Sequence, residues 1–189
     1  MHGSLQFPKR CLASVPEGLQ PALQPWFSQI ESMNEPIKAY DRLILPMAQE
    51  QYPDTKGLSP VHGVGTLTAL TSVLTIADKY RFGQSRDVSC YLGQRPQRSQ
   101  SGQHDPQLGI TKAGNSYLRR LLTECANDII GPFGKGSALQ RWGWPLAARG
   151  GKNTWARAII AVAGKLAVLL HRLWVTQEEY LPFPQGKAA

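Results

Sequence analysis

Apolar positions in the first quarter of the chain repeat with a helical period. Trp26, Ile30, Met33, Ile37, Tyr40, Ile44 and Met47 follow one another at alternating spacings of four and three, the rhythm of a heptad seam. An interior proline costs a helix about 3 kcal/mol. Pro36 therefore predicts two helices meeting at a kink near Glu35, with Pro46 limiting the second. The seam suits either a helical hairpin packed on its own domain or a dimerising coiled coil, and the pattern leaves both open. Ahead of it, residues 1–25 carry Pro8, Pro16, Pro21 and Pro25 without a period and read as a loosely ordered lead-in. Residues 51–60 read as a linker by composition.

The second part of the chain is patterned differently. After Gly63-Val64-Gly65, the positions Leu67, Leu70, Val73 and Leu74 predict a helix over 66–77, and a short helix over 87–93 stops at Gly93. Residues 94–112 have no apolar period and read as an extended polar loop or hairpin, long for a simple connection. Asn115 then caps a helix carrying Leu118, Leu121, Leu122, Cys125, Ile129 and Ile130 on one side, stopped by Gly131-Pro132. A segment with Trp142 and Trp144 leads to a last long helix over 154–175. No convincing strand pair and no repeat is present. The expected fold class is mainly α: a lead-in (1–25), a helical connector (26–56), a compact helical domain (57–182) with a helix-hairpin-helix-like element and a long polar loop, and a tail (183–189).

Composition sharpens this picture at two points. An apolar content of 42% with 18% charged residues excludes a wholly disordered chain. The net charge of +8 is unevenly placed: residues 1–60 hold 5 basic and 6 acidic side chains, net −1, and residues 61–189 hold 16 and 7, net +9. An anionic partner is thus expected to meet the second part. Cys11, Cys90 and Cys125 form no CxxC pair and are odd in number, which suits a reducing compartment. His2, His62, His104 and His171 lack the spacing of zinc ligands. The N-terminus has no signal-peptide order, and the apolar stretch 158–170, interrupted by Lys165, is short for a bilayer. The expectation is a cytoplasmic protein with no membrane partner.

Three features carry candidate chemistry. In Val61-His-Gly63-Val64-Gly65, followed by Ala69, the glycines permit a tight turn and the next helix start offers N–H groups to a phosphate, as in the second half of a helix-hairpin-helix. Such contacts position DNA without reading sequence; the plain alternative is an ordinary glycine turn. In the polar loop, Ser99, Ser101 and His104 lie among Arg95, Arg98, Lys112, Arg119 and Arg120. A serine is a weak nucleophile without help, and arginines supply the cations that phosphoryl transfer requires; the alternative is a solvated loop. On the last helix, Arg157, Lys165 and Arg172 face phosphates or solvent. Glu124 and Asp128, one helical turn apart, read as a solvated face rather than a metal pair, and no two-metal centre, P-loop or dinucleotide fingerprint is present.

Taken in order, Gly63-Val-Gly65, Thr68-Ala69-Leu70, Tyr80-Arg-Phe82, Cys90-Tyr-Leu-Gly93, Ser101-Gly102, the block from Gly109 through Lys112, Gly114-Asn115, Leu118-Arg119 and Leu122, and the helix over 156–170 leading to Tyr180-Leu-Pro182 resemble a known family. It is the C-terminal transposase domain of the "one-ten" class of bacterial insertion-sequence transposases, also called DEDD transposases and kin of the Piv DNA invertase. The resemblance covers roughly residues 57–182. It implies DNA transposition and recombination, with a serine of the Ser-Gly loop as nucleophile. By position that serine is Ser101, with Ser99 in reserve, and Arg98, Lys112 and Arg119 hold the scissile phosphate. The DNA-binding set is then Gly63, Val64, Gly65, Arg95, Arg98, Lys112, Asn115, Arg119, Arg120, Arg157 and Lys165.

The same resemblance implies partners: an RuvC-like domain whose four acidic residues bind a divalent metal such as magnesium, a structured guide RNA, and a homo-oligomeric complex. The segment before residue 57 resembles the coiled-coil connector between the two domains. Three departures stand out. The loop from Ser101 to Gly109 is one residue longer than the family pattern, Gly164 replaces an arginine common in the family, and residues 1–56 cannot supply the acidic quartet. The chain is accordingly expected to be a fragment, a split half or a decayed frame, inactive alone. The rival expectation is a non-catalytic nucleic-acid-binding remnant that regulates an intact transposase.

Overall fold

The computed structural model describes residues 11, 14–99, 101 and 108–183. Gly102 and His104 of the polar loop, most of the first thirteen residues and the tail from 184 lie outside them. The chain divides into two compact units, residues 1–47 and 48–189.

A 3-10 turn, Glu17–Leu19, leads into helix α1, Gln20–Glu50. This helix begins inside the predicted lead-in and runs unbroken through Pro25, Pro36 and Pro46, which corrects the expectation of two helices joined at Glu35. Each proline frees the carbonyl four residues back. Those carbonyls belong to Pro21, Ser32 and Arg42, all exposed residues, so water takes the freed oxygens and the helix continues. The apolar seam is largely exposed: Trp26 is 71% exposed, and Met33, Ile37, Tyr40 and Met47 are exposed as well.

The second unit is helical throughout, with no strand among the described residues. The predicted linker is part of its core. Pro53–Gly57 forms a 3-10 turn, the Thr55 hydroxyl lies 2.8 Å from the Tyr52 carbonyl oxygen and 3.0 Å from that of Ala48, and successive i→i−3 bonds carry the chain through Leu58, Val61 and Val64, all buried. Polar composition hid this, because a 3-10 path buries every third residue and only three apolar side chains are needed.

Five more helices follow: α2, Thr66–Ile76; α3, Arg86–Tyr91; α4, Ser116–Ile130; α5, Ala138–Ala147; and α6, Thr154–Thr176. In α2 the buried face is Thr68, Ala69, Leu70, Ser72, Val73 and Ile76, so Leu67 and Leu74 of the predicted seam face outward. The buried hydroxyls are satisfied locally: Ser72 donates to the Thr68 carbonyl at 2.7 Å, and Thr68 Oγ1 lies 3.5 Å from Cys125 Sγ. Asn115 caps α4 as predicted, its Oδ1 accepting from Leu118 N–H at 2.9 Å. Helix α5 arises where only a Trp-containing segment was expected; Ser137 caps it by accepting from Gln140 N–H at 3.1 Å, and Gly143 fits between Ile130 and Val162.

Helix α6 is the centre of the unit and packs against α3, α4 and α5. It buries Ala158, Val162, Ala163, Leu166, Ala167, Leu170, Leu173 and Trp174. At 23 residues, close to the helix expected over 154–175, it is long and apolar enough to cross a membrane, so its apolar window exceeds the 158–170 stretch read from the sequence. Half of that apolar window lies inside this unit, and α6 is its core helix.

One polar group on α6 is placed where burial makes it pH-sensitive. His171 is only 2% exposed. Its Nε2 lies 3.0 Å from the Lys79 carbonyl oxygen and its Nδ1 3.0 Å from Ser85 Oγ. A carbonyl only accepts, so Nε2 carries the proton and Nδ1 accepts from the serine hydroxyl. Burial pushes the imidazole pKa below its ordinary 6.5, against a smaller opposite effect of the Lys79 carbonyl. The unfolded chain therefore binds more protons in the interval below 6.5. Stability is full above that pH and falls as the pH drops through it. Thermal melts are expected to give a lower Tm at pH 5 than at pH 7.5. His171→Gln is expected to cost about 1–3 kcal/mol at pH 7.5 and to flatten the pH dependence; a slope as steep as wild type contradicts the assignment.

Candidate nucleic-acid interface

The polar segment is a hairpin at its base. Gln97 N–H donates to the Gly109 carbonyl at 2.8 Å, Thr111 N–H to Arg95 at 3.0 Å and Lys112 N–H to Gly93 at 3.0 Å, around an antiparallel bridge between Pro96 and Ile110. Of the two readings the sequence left open, the hairpin is therefore the observed one. The arms meet too closely for a side chain at Gly114, where φ is +71° and a Cβ would overlap the Tyr91 carbonyl oxygen.

Arg119 locks this root to α4. Its Nη1 donates to the Leu92 carbonyl at 2.9 Å and to the Ala113 carbonyl at 2.8 Å, one on each side of the hairpin. Two bonds from a charged donor are of the stronger kind. Arg119, expected to face a scissile phosphate, is half-buried and spends this nitrogen on the backbone. Above the root, Ser99, Ser101, Arg95, Arg98, Lys112 and Arg120 are all exposed. Arg120 lies over the Tyr117 ring, 5.8 Å from its centroid. Asn115 is committed to capping α4. The structure therefore brings the predicted serines and four of the five predicted cations onto one exposed hairpin and the α4 start.

The glycine turn sits further along the same helix. Val61 and Val64 are buried and anchor the turn. Gly63 has φ +81°, and a Cβ there would fall 3.0 Å from the Cys125 carbonyl oxygen, so a side chain is strained by conformation and tight by contact. Gly65 differs: its φ is −85°, and nothing lies within 4 Å of a Cβ built on it. It is exposed and occupies the N-cap of α2 without a side-chain cap bond, so the first-turn N–H groups lack a cap from this residue and the positive end of the helix dipole begins at an exposed position. Arg119 and Cys125 are six residues apart on α4, about 9 Å of helix rise. Helix α4 thus carries the hairpin root at one end and the glycine turn nearer the other.

Carboxylates also border this turn. The Asp128 Cβ would lie 3.6 Å from a Gly63 Cβ, and Glu124 and Asp128 line an open hollow with Thr123, Asn127 and Ile159. No group of three or more His, Cys, Asp or Glu able to hold a metal occurs among the described residues. Cys125, hydrogen-bonded to Thr68, has its thiol pKa pushed up chiefly by burial and stays protonated at neutral pH.

On α6, Arg157 and Lys165 are exposed as predicted. Lys165 Nζ sits 4.3 Å from the Trp142 ring centroid, a cation–π contact joining α6 to α5. Gly164 is half-buried beside Ser89 and Gln94 at the hairpin root. Trp142 was not singled out as functional, and only the 23-residue separation from Lys165 hid the pair. The Arg119 brace was equally invisible, because both acceptors are backbone carbonyls.

Residues 56–138 match the family model described as Transposase IS116/IS110/IS902 family. The chain is 32% identical over 174 residues to the transposase for insertion sequence element IS1111A of Coxiella burnetii, covering 89% of this chain and 47% of that protein. It is 41% identical over 69 residues to the putative transposase y4qE of Sinorhizobium fredii, 36% of this chain and 18% of the relative. A probable family 20 transposase of Pseudomonas aeruginosa is 29% identical over 126 residues, 66% of this chain and 36% of the relative. The chain thus spans about half the length of the IS1111A protein and less of the others. The glycine turn, the serine hairpin and α4 all fall inside the matched segment, and that segment, residues 56–138, is an IS110-class transposase domain.

Proposed function

We propose that this chain holds DNA by its backbone and presents a serine to it during transposition of an insertion sequence. The observation that carries the reading is the braced hairpin: Arg119 fixes both arms to α4 beneath exposed Ser99 and Ser101. Ser101 is the nucleophile and Ser99 the reserve. As the Ser101 Oγ–phosphorus bond forms, one phosphorus–oxygen bond of the DNA breaks; the serine proton leaves to a base and the departing sugar oxygen takes one up. The phosphoserine bond keeps the energy of the broken phosphodiester, so rejoining requires no ATP. Arg98 and Lys112 are the candidates for holding the scissile phosphate, while Arg119 acts by positioning the hairpin.

Among the described residues no group of three or more His, Cys, Asp or Glu could hold a metal. A divalent cation such as magnesium belongs, in this proposal, to an RuvC-like acidic domain that completes the site, and would supply positive charge to the departing oxygen. A guide RNA and a full-length transposase are the further proposed partners. The exposed seam of α1 supports a homo-oligomer, the coiled coil being the arrangement that buries it. The proposed location is the bacterial cytoplasm, on the nucleoid when bound.

Backbone contact is tested at Gly65, where a side chain has room. Gly65→Glu is expected to leave the melting temperature unchanged or slightly raised, since a carboxylate suits a helix start. It should weaken duplex binding severalfold and reduce the slope of log K against log salt by about 1. Unchanged affinity removes the phosphate contact at α2.

The nucleophile is tested by trapping. Nicked element-end DNA is incubated with wild type, Ser99→Ala or Ser101→Ala, with a full-length relative supplying the acidic domain, and resolved under denaturing conditions. A covalent adduct lost only in Ser101→Ala is the expected result. No adduct, with salt-sensitive DNA binding intact, instead supports a non-catalytic module that regulates an intact transposase.

A further inference from the structure

Between residues 129 and 177 the chain has no Asp or Glu and seven Lys or Arg. That stretch is α5, α6 and the turns beside them, and it also carries exposed aromatic rings. Trp142 is 37% exposed, Trp144 53% and Trp155 46%. Trp144 is anchored, its Nε1 donating to the Ile130 carbonyl at 3.2 Å, and Trp142 meets the Lys165 ammonium 4.3 Å from its ring centroid. Folded domains of mixed charge scatter such residues; here cations and indoles share one stretch of chain without an acid, the nearest following acid, Glu178, pairing with Arg172 at 3.2 Å.

Burial along α6 gives the surface a shape. Ala161, Gly164, Lys165 and Val168 follow one another at helical spacing, with Arg157 at one end and Arg172, ion-paired to Glu178 at 3.2 Å, at the other, and all are half-buried or exposed. One wall of this strip is Trp142 of α5, reached through Lys165. The other is the hairpin root, where the Ser89 and Gln94 Cβ atoms lie about 4 Å from a Cβ built on Gly164. Small side chains at 161 and 164 keep the floor low. From Arg157 to Arg172 the strip runs about 22 Å along the helix, room for a few nucleotides.

We propose that this strip binds an unpaired nucleic-acid strand, one base stacking at Trp142 while Lys165 and Arg157 meet its phosphates. Cations set among exposed aromatic rings are the chemistry of single-strand grooves, where stacking is tolerant of sequence and phosphates supply the salt dependence. A duplex keeps its bases stacked on one another and offers Trp142 no free face. The strip lies beside the hairpin root, so a strand opened near Ser101 has a place to rest. This inference rests on the reading of the chain as a nucleic-acid-engaging transposase domain and adds to it a ligand class and an aromatic residue.

The test uses oligothymidine of about twelve nucleotides, its oligouridine counterpart and an abasic strand of equal length and charge, each titrated against the full chain by anisotropy and by tryptophan emission. Wild type is expected to bind oligothymidine about tenfold more tightly than the abasic strand, with quenching of emission. Trp142→Leu is expected to bind both strands equally, with duplex affinity unchanged. Lys165→Gln is expected to weaken all three strands alike. Should Trp142→Leu melt early, Trp142→Phe retains a ring and is expected to keep part of the preference. Oligouridine bound as tightly as oligothymidine assigns the contact to base and phosphate alone; weaker binding assigns the site to DNA and tighter binding to RNA, and either sign supports a single-strand site. Equal wild-type affinity for thymidine and abasic strands, or a preference untouched by Trp142→Leu, overturns the proposal. A wild type with no salt-sensitive affinity for duplex DNA instead overturns the functional reading beneath it.

Discussion

Arg119 joins three pieces of chain through one nitrogen. It stands in the first turn of α4, and its Nη1 holds the carbonyl that ends α3 and the carbonyl just before the α4 cap. Without a donor there, the Leu92 and Ala113 oxygens would be left without this partner, and the hairpin would be fixed only by its few cross-strand bonds. With it, an exposed and highly polar segment acquires a defined base. Everything proposed for Ser99 and Ser101 depends on that base being rigid, because a nucleophile must be held within a narrow range of positions to react.

The brace works because α4 itself is held. One face of α4 is buried against α2, α5 and α6, and α6 supplies the greater part of the opposing apolar surface. The glycine turn rests on the same helix at Cys125. Two candidate backbone contacts, the α2 start and the serine hairpin, are thereby tied to one stiff element, and their separation is set by helix rise rather than by loop conformation. The cations and indoles of α5 and α6 are carried on the same core. A domain that must hold a polyanion benefits from this economy: positive charge is carried on the surface of helices whose inner faces are needed for folding in any case.

Much of this was legible from residues alone. Helix α4 is marked by its cap, its apolar period and its Gly-Pro stop, and α6 by its long apolar face. The glycine turn is marked by spacing, since Val61, Val64 and Ala69 are the buried positions that the pattern requires. What escaped did so for identifiable reasons. Gly143 and Pro145 read as breakers, yet α5 forms because Gly143 lets it sit against Ile130 and Val162. The 51–60 segment reads as solvated, yet Leu58 is buried through 3-10 geometry. Three prolines predict a broken connector, yet α1 runs through all of them, and the carbonyls they free belong to exposed residues that water can reach. The function of Arg119 has no sequence signature, because any carbonyl is as good an acceptor as another until the fold selects two of them.

Amide hydrogen exchange in wild type and Arg119→Met measures the brace most directly. The methionine keeps an unbranched stem and removes the donor. The account predicts that the Gln97, Thr111 and Lys112 amides lose protection together in the variant, while the Leu118 amide, held by Asn115, and the buried amides of α6 keep theirs. Hairpin amides that remain as protected as in wild type would show that the root holds without Arg119, and would contradict the claim that this residue sets the geometry of the serine hairpin.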